Sequence, residues 1–223
     1  MIQFLEKDTD KPIIDDAIVS SSGYDELKFD GYGFKKVSYE TFLESWKNIY
    51  GEDPNENVIR KIYDNIKLPE RSTSGSMGYD FFIPFDLKLI KESSIVIPTG
   101  IKCKMTKNQG LIIAPRSGSG FKYRLGVANT IGIIDSDYFN NQANEGHIMI
   151  KLVYNGFAFE TILKTSNGEI EYEDSAKANK AFIEFKTGEA FAQGFVVKYE
   201  TFGDDVEVTR VGGFGSTTKT EEN

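Results

Sequence analysis

The sequence predicts an all-β fold, a closed or double-sheet arrangement of short strands with a small helical addition toward the N-terminus. Three observations carry this reading. From Met77 onward, short runs of Ile, Val, Phe and Tyr recur between glycine-containing turns, the pattern of antiparallel barrels and sandwiches. Ile101, Cys103 and Met105 alternate with Lys102 and Lys104, the period of a half-buried strand. Helical spacing is concentrated in residues 39–68, which marks the addition.

Taken in order, the first 30 residues are acidic and hold no sustained period, so irregular chain is expected there. FDGYGFKKVS then reads as a short strand. Phe42, Leu43, Trp46, Ile49 and Tyr50 fall on one helical stripe, stopped by Gly51. Asp53-Pro54 offers an N-cap with proline at the first helical position. Val58, Ile59, Ile62, Tyr63 and Ile66 make a second stripe, ended by Pro69. Both stripes read as packing faces of a helical hairpin. Further strands are expected at residues 95–97, 101–105, 111–114, 147–154, 181–185, 195–199 and 206–208. Asn167-Gly168 is the two-residue turn of a hairpin. Residues 212–223 are glycine, hydroxyls and charge around a single aromatic, Phe214, and cannot fold alone.

Composition narrows the chemistry. The 223 residues include 26 Lys and Arg against 34 Asp and Glu, a net charge of −8. Counterion release needs a basic surface, so neither nucleic acid nor a membrane is an expected partner. A free nucleotide needs only a few local donors. No long apolar run is present and MIQFLEKDTD does not resemble a signal peptide, so a cytoplasmic protein is expected. There is one Cys, Cys103, and one His, His147, which argues against an internal disulfide or a histidine-ligated zinc. Catalysis would then rest on carboxylates, hydroxyls, arginines and backbone donors.

Two segments could carry it. Pro115–Gly120 (PRSGSG) follows the apolar strand LIIA. An arginine, a hydroxyl and two glycines at a strand end can offer N–H groups to phosphate, and an ordinary turn with a surface ion pair has the same composition. In NTIGIIDSDYFNN, Ile131, Ile133 and Ile134 run into Asp135, Ser136, Asp137 and Tyr138. Two acids there serve equally as turn formers or as a general base with its support, and a carboxylate is the plausible base in so His-poor a chain.

Five segments in order, TSGSMGYDF, APRSGSG, ANTIGIIDSDY, GEAFAQG and RVGGFGST, resemble the motifs of the homotrimeric dUTP pyrophosphatases (dUTPases). The loop in YFNNQANEGHIMI is most similar to enzymes of Gram-positive bacteria and their phages, placing the expected cytoplasm in such a cell or an infected host. The resemblance implies a β jelly roll, a threefold trimer with sites between subunits, and hydrolysis of dUTP to dUMP and pyrophosphate with Mg²⁺ on the triphosphate. It implies Asp135 as the general base and Tyr138 as the aromatic against the deoxyribose. Asn129 through Ile134, with Gly132 and Ile133, match the hairpin that pairs with uracil, and Met149 belongs to the same substrate site. Arg116, Ser117 and Gly118 match the phosphate-binding turn, Gln193 the glutamine near the α-phosphate, and Asp80 the acid that reaches metal-bound water. Arg210, Phe214, Gly215, Ser216 and Thr217 match the arm that closes over the ligand.

The chain departs from that pattern in places. Ala190 stands where an arginine is usual and Thr218 where a glycine is usual. The expected organisation is an N-terminal extension over 1–68, a β domain over 69–209 with a charged insertion near 157–187, and an arm over 210–223. The hairpin and the insertion read as surface decoration or as a docking site for another protein. A dCTP deaminase of the same superfamily would need a glutamate where this chain has Lys151. A phage regulatory protein that keeps the nucleotide fold is the other alternative.

Overall fold

The computed structural model describes residues 31–51, 54–156, 160–166, 169–175 and 180–203. One sheet has the order β1 (Gly33–Lys36), β4 (Ser93–Lys104), β8 (Ile148–Tyr154), β6 (Leu125–Val127). The other runs β2 (Tyr79–Phe82), β12 (Ala190–Lys198), β5 (Gln109–Pro115), β7 (Gly132–Asp135). Neighbours in both are antiparallel. Two ribbons, β3 (Leu87–Ile90) with β11 (Phe182–Phe185) and β9 (Glu160–Ser166) with β10 (Glu169–Ser175), are also antiparallel. The mostly non-sequential neighbours are the crossovers of a jelly roll.

Strand alternation fills the core. Leu111, Ile113 and Ile134 of one sheet and Ile97, Ile101, Ile148, Ile150 and Leu152 of the other are each at most 4% exposed and belong to one cluster. Cys103 lies in it, its thiol pushed up to about 12 by burial, so it offers no thiolate at neutral pH. The two strands expected at 95–97 and 101–105 are one, β4, with a register shift between Pro98 and Ile101. Proline there removes a donor and the ladder is interrupted rather than ended. β9 and β10 pair antiparallel on either side of Asn167-Gly168, with Glu169 facing Ser166; the two turn residues lie outside the described residues. Residues 206–208 lie outside the described residues.

The helical hairpin is part of this body, since Gly33 onward forms one compact unit. Helix α1 (Tyr39–Tyr50) is capped by Ser38, whose Oγ accepts from Thr41 N–H at 3.2 Å, and stops at Gly51 as expected. Helix α2 (Glu56–Asp64) starts after Asn55, whose Oδ1 accepts from Asn57 and Val58 N–H. The cap is therefore Asn55 rather than Asp53, and Pro54 precedes it. An asparagine reaches its second and third helical amides as well as an aspartate does.

Phe42 (0% exposed), Ile59 (2%) and Ile66 (7%) carry the hairpin into the common core, each burial worth about 1.5–3 kcal/mol. Gly100, at the β4 shift, makes that approach possible. Its φ is +70°, and a Cβ there would stand 2.2 Å from Ile66 Cδ1. Its carbonyl accepts from Val37 N–H at 3.0 Å. No helix among the described residues is long and apolar enough to cross a membrane.

Candidate active site

Gln193, in β12, organises one group. It pairs with Asp80 on β2 and with Ala114 on β5, and residues on one rung of a sheet share a face. Its Nε2 donates to the Pro115 carbonyl at 3.2 Å. Past Pro115 the chain enters α3 (Ser117–Tyr123), with Arg116 at the N-cap position but making no side-chain cap. The guanidinium folds back over the sheet. Nε lies 3.1 Å from Asp80 Oδ1 and Nη1 donates to the Ala190 carbonyl at 3.4 Å. Arg116 is 41% exposed and Asp80 15%, so the pair faces solvent, and a guanidinium has five N–H groups to share.

Ser117 and Gly118 form the first turn of α3, where amides lack intrahelical acceptors, and Asp80, expected beside metal-bound water, is paired with Arg116 in this chain. The Ala190 main-chain carbonyl receives Arg116, a contact that any residue at 190 would offer, so nothing in the structure explains the departure from arginine. A cleft of about 680 Å³ opens beside the group, lined by Arg116, Tyr123, Lys180 and Glu189 among others. Tyr123 and Lys180 belong to no sequence motif and join Arg116 at this cleft only through the fold.

The second group is on β7. A tight turn precedes it, with Thr130 N–H donating to Val127 O at 2.8 Å and Ile131 N–H to Asn129 O at 2.6 Å. Gly132 then pairs with Ile113 and Asp135 with Gly110. Ile134 faces the core at 4% exposed, whereas Ile131 (45%), Ile133 (59%) and Asp135 are exposed. Asp135 thus stands on the outer sheet face, as a base that meets water must.

Tyr138 does not stand where expected. It ends a short 3-10 turn, Ser136–Tyr138, and is 1% exposed. Its hydroxyl donates to His147 O at 3.1 Å and accepts from Asn144 Nδ2 at 2.8 Å. Its carbonyl accepts from Asn141 Nδ2 at 2.9 Å. The ring expected against deoxyribose is a core residue of this chain, held by the loop that follows it. Met149 is half-buried in the other sheet, opposite Pro98, away from both groups' rungs. Arg210, Phe214, Gly215, Ser216 and Thr217 lie outside the described residues.

The two groups occupy opposite ends of one sheet face. Asp135 is level with Gly110, and the Asp80–Gln193–Ala114 rung onto which Arg116 folds lies four residues further along β5, about 13 Å at ~3.3 Å per residue, with Asp135 and Asp80 on opposite edge strands of the sheet. One chain does not bring Asp135 and Arg116 together.

A dUTPase family model matches residues 64–157. The deoxyuridine 5'-triphosphate nucleotidohydrolase of Lactococcus lactis subsp. lactis (strain IL1403) is 31% identical over 172 residues, covering 73% of this chain and 95% of that protein. The chain belongs to the dUTPase family. A second such dUTPase relative, from Blochmanniella floridana, is 39% identical over 101 residues, covering 44% of this chain and 63% of that protein. The crystal structure of the dUTPase from Streptococcus mutans superposes with a TM-score of 0.50 at 22% identity, covering 76% of this chain and 97% of that one, and supports the dUTPase jelly roll. The family match begins at Asp64, the last residue of α2, so the helical hairpin lies ahead of the matched dUTPase region.

Proposed function

We propose that this dUTPase-family protein hydrolyses dUTP to dUMP and pyrophosphate in sites shared between copies of the chain. The observation that carries the reading is the division of one sheet face, with Asp80, Gln193 and Arg116 at one end and Asp135 at the other. Between them lie half-exposed Ile112, Phe195 and Val197 and exposed Ile133. An apolar face with half a site at each end suits a second copy that covers it and completes both halves. A homotrimer is the assembly the family resemblance supports.

Mg²⁺ enters as part of the substrate, chelated by the triphosphate. Among the described residues no three His, Cys, Asp or Glu stand together as a metal cage, and Mg²⁺ commonly rides on substrate phosphates with several waters. Asp80 is the carboxylate placed to accept hydrogen bonds from those waters, and its exchange of Arg116 for them would free the guanidinium for phosphate oxygens. Asp135 takes a proton from water, whose oxygen bonds to the α-phosphorus. The bond from that phosphorus to the bridging oxygen breaks, and pyrophosphate leaves with its Mg²⁺. Gln193 stays near the α-phosphate, and main-chain groups of Asn129–Ile134 pair with the uracil edge. The arm residues from Arg210 onward close the site, and the setting is the cytoplasm.

Pyrophosphate release measured on dUTP, dTTP, dCTP and UTP with Mg²⁺ tests this. Only dUTP should turn over well. A rate on UTP or dTTP within about tenfold of dUTP, ~1.4 kcal/mol of discrimination, would end this reading.

A further inference from the structure

Asp135 and Tyr138 are followed by a loop, residues 139–147, that is organised out of proportion to its length. Asn141 Oδ1 accepts from Ala143 and Asn144 N–H at 2.9 and 3.1 Å. Asn144 Oδ1 accepts from Gly146 N–H at 3.1 Å and Asn141 Nδ2 at 2.9 Å. Gly146 has φ +79°, and a Cβ there would stand 2.4 Å from the Tyr138 carbonyl oxygen. The loop therefore closes directly on Tyr138, and Tyr138 ends the single turn that begins at Asp135.

Helix α1, which precedes the region matched by the family model, grips this loop at two points. Glu145 Oε2 accepts from Ser38 N–H at 3.1 Å and Lys102 Nζ at 2.7 Å, while Oε1 accepts from the Thr41 hydroxyl at 2.7 Å and the Ser38 hydroxyl. A carboxylate at a helix N-terminus also meets the positive end of the helix dipole. Burial would raise this carboxyl, but the bonds from Lys102, Ser38 and Thr41 outweigh it and hold it at about 2. His147, fully buried, makes the second grip. Gly100 N–H donates to Nε2 at 2.8 Å, so the neutral ring carries its proton on Nδ1 and donates to Ser45 Oγ at 2.8 Å.

We propose that Glu145 is a positioning residue for dUTP hydrolysis: by capping α1 it locks the 139–147 loop around Tyr138 and so fixes the turn that carries Asp135. The proposal rests on the functional reading above. Glu145 touches neither substrate nor the attacking water in this scheme; it acts through the loop. The helical hairpin is then a brace for the base-bearing half of the site rather than surface decoration.

The experiment compares full-length wild type with Glu145→Ala, Glu145→Gln and a control, Lys47→Ala, whose exposed partner Glu56 lies on the same hairpin. It reads kcat and KM for dUTP with Mg²⁺, and amide exchange at Gly146 and His147. Glu145→Ala should lower kcat about tenfold with KM little changed, since small misplacements of a catalytic group are costly. It should also speed exchange at both amides. Glu145→Gln, which keeps an acceptor for Ser38 and Thr41, should recover part of the kcat, and Lys47→Ala should match wild type. A Glu145→Ala kcat within about twofold of wild type, or a rise in KM with kcat unchanged, overturns the proposal. If Glu145→Ala does not fold, Thr41→Val takes its place, with a smaller kcat loss expected and the same overturning results. If wild type releases no pyrophosphate from dUTP, the functional reading fails, and unchanged amide exchange in the variant would separately refute the brace.

Discussion

Asparagine at position 135 keeps the size of aspartate and removes its ability to take a proton. Asp135→Asn should leave fold and assembly unchanged and lower turnover by about 10²–10⁴, the usual worth of a positioned base. Steady-state rates on dUTP check this, and near-normal activity would move the role to Asp137. The same residue scale shows what the sequence made legible. Asp80, Arg116 and Gln193 come from three separate motifs, and one rung with the turn beyond it brings them together. Tyr138 was not legible in the same way. Whether its ring faces ligand or core depends on Asn141, Asn144 and Gly146 folding back onto it, and no periodicity encodes a loop that closes on one side chain.

Elements were readable where one period persists and obscure where tertiary contacts decide. The alternation of residues 101–105 appears as expected, and Phe42 and Ile59 bury the helical stripes, whereas Val58 (49% exposed) and Tyr50 (40%) face outward and Ile66 is buried past the end of α2. Helix α3 was not expected, because SGSGFKY has two glycines and poor intrinsic helicity; it forms where it can pack against β6. β4 reads as two strands because Pro98 and Gly100 look like terminators, while pairing to β8 resumes after them. The α1–loop junction has a pH signature. Burial lowers His147 from 6.5 to about 4, against a smaller upward pull from Glu145. Below its unfolded value the unfolded chain binds a proton that the folded chain refuses, so stability falls as pH drops from about 6.5 to about 4, by on the order of 3 kcal/mol in all. Glu145 adds its own loss only below about 4.5, between its unfolded and folded values. Denaturant titrations at pH 7, 5.5 and 4.5 should show a progressive decline over this window. A flat profile would mean that His147 is not held neutral in the fold.

For the whole molecule, the informative residue is Ile133. At 59% exposed in a single chain, it could become glutamate with an effect within about 0.5 kcal/mol if the chain worked alone. If the sheet face is covered by another copy, Ile133→Glu buries a charge at the interface, and light scattering should report dissociated chains with little dUTP turnover. A fully assembled, active variant would place the interface elsewhere. The separation of Asp135 from Arg116 along that face has a genetic consequence. Two defective alleles should rescue each other. Subunits carrying Asp135→Asn retain the phosphate end, and subunits carrying Arg116→Ala retain the base. If each site takes its base from one subunit and its phosphate end from a neighbour, about a quarter of sites in an equal, randomly mixed assembly are whole. Refolding the two inactive proteins together should restore activity that neither shows alone. A site contained in one chain would give none, so the mixing experiment counts how many polypeptides a single dUTP molecule touches.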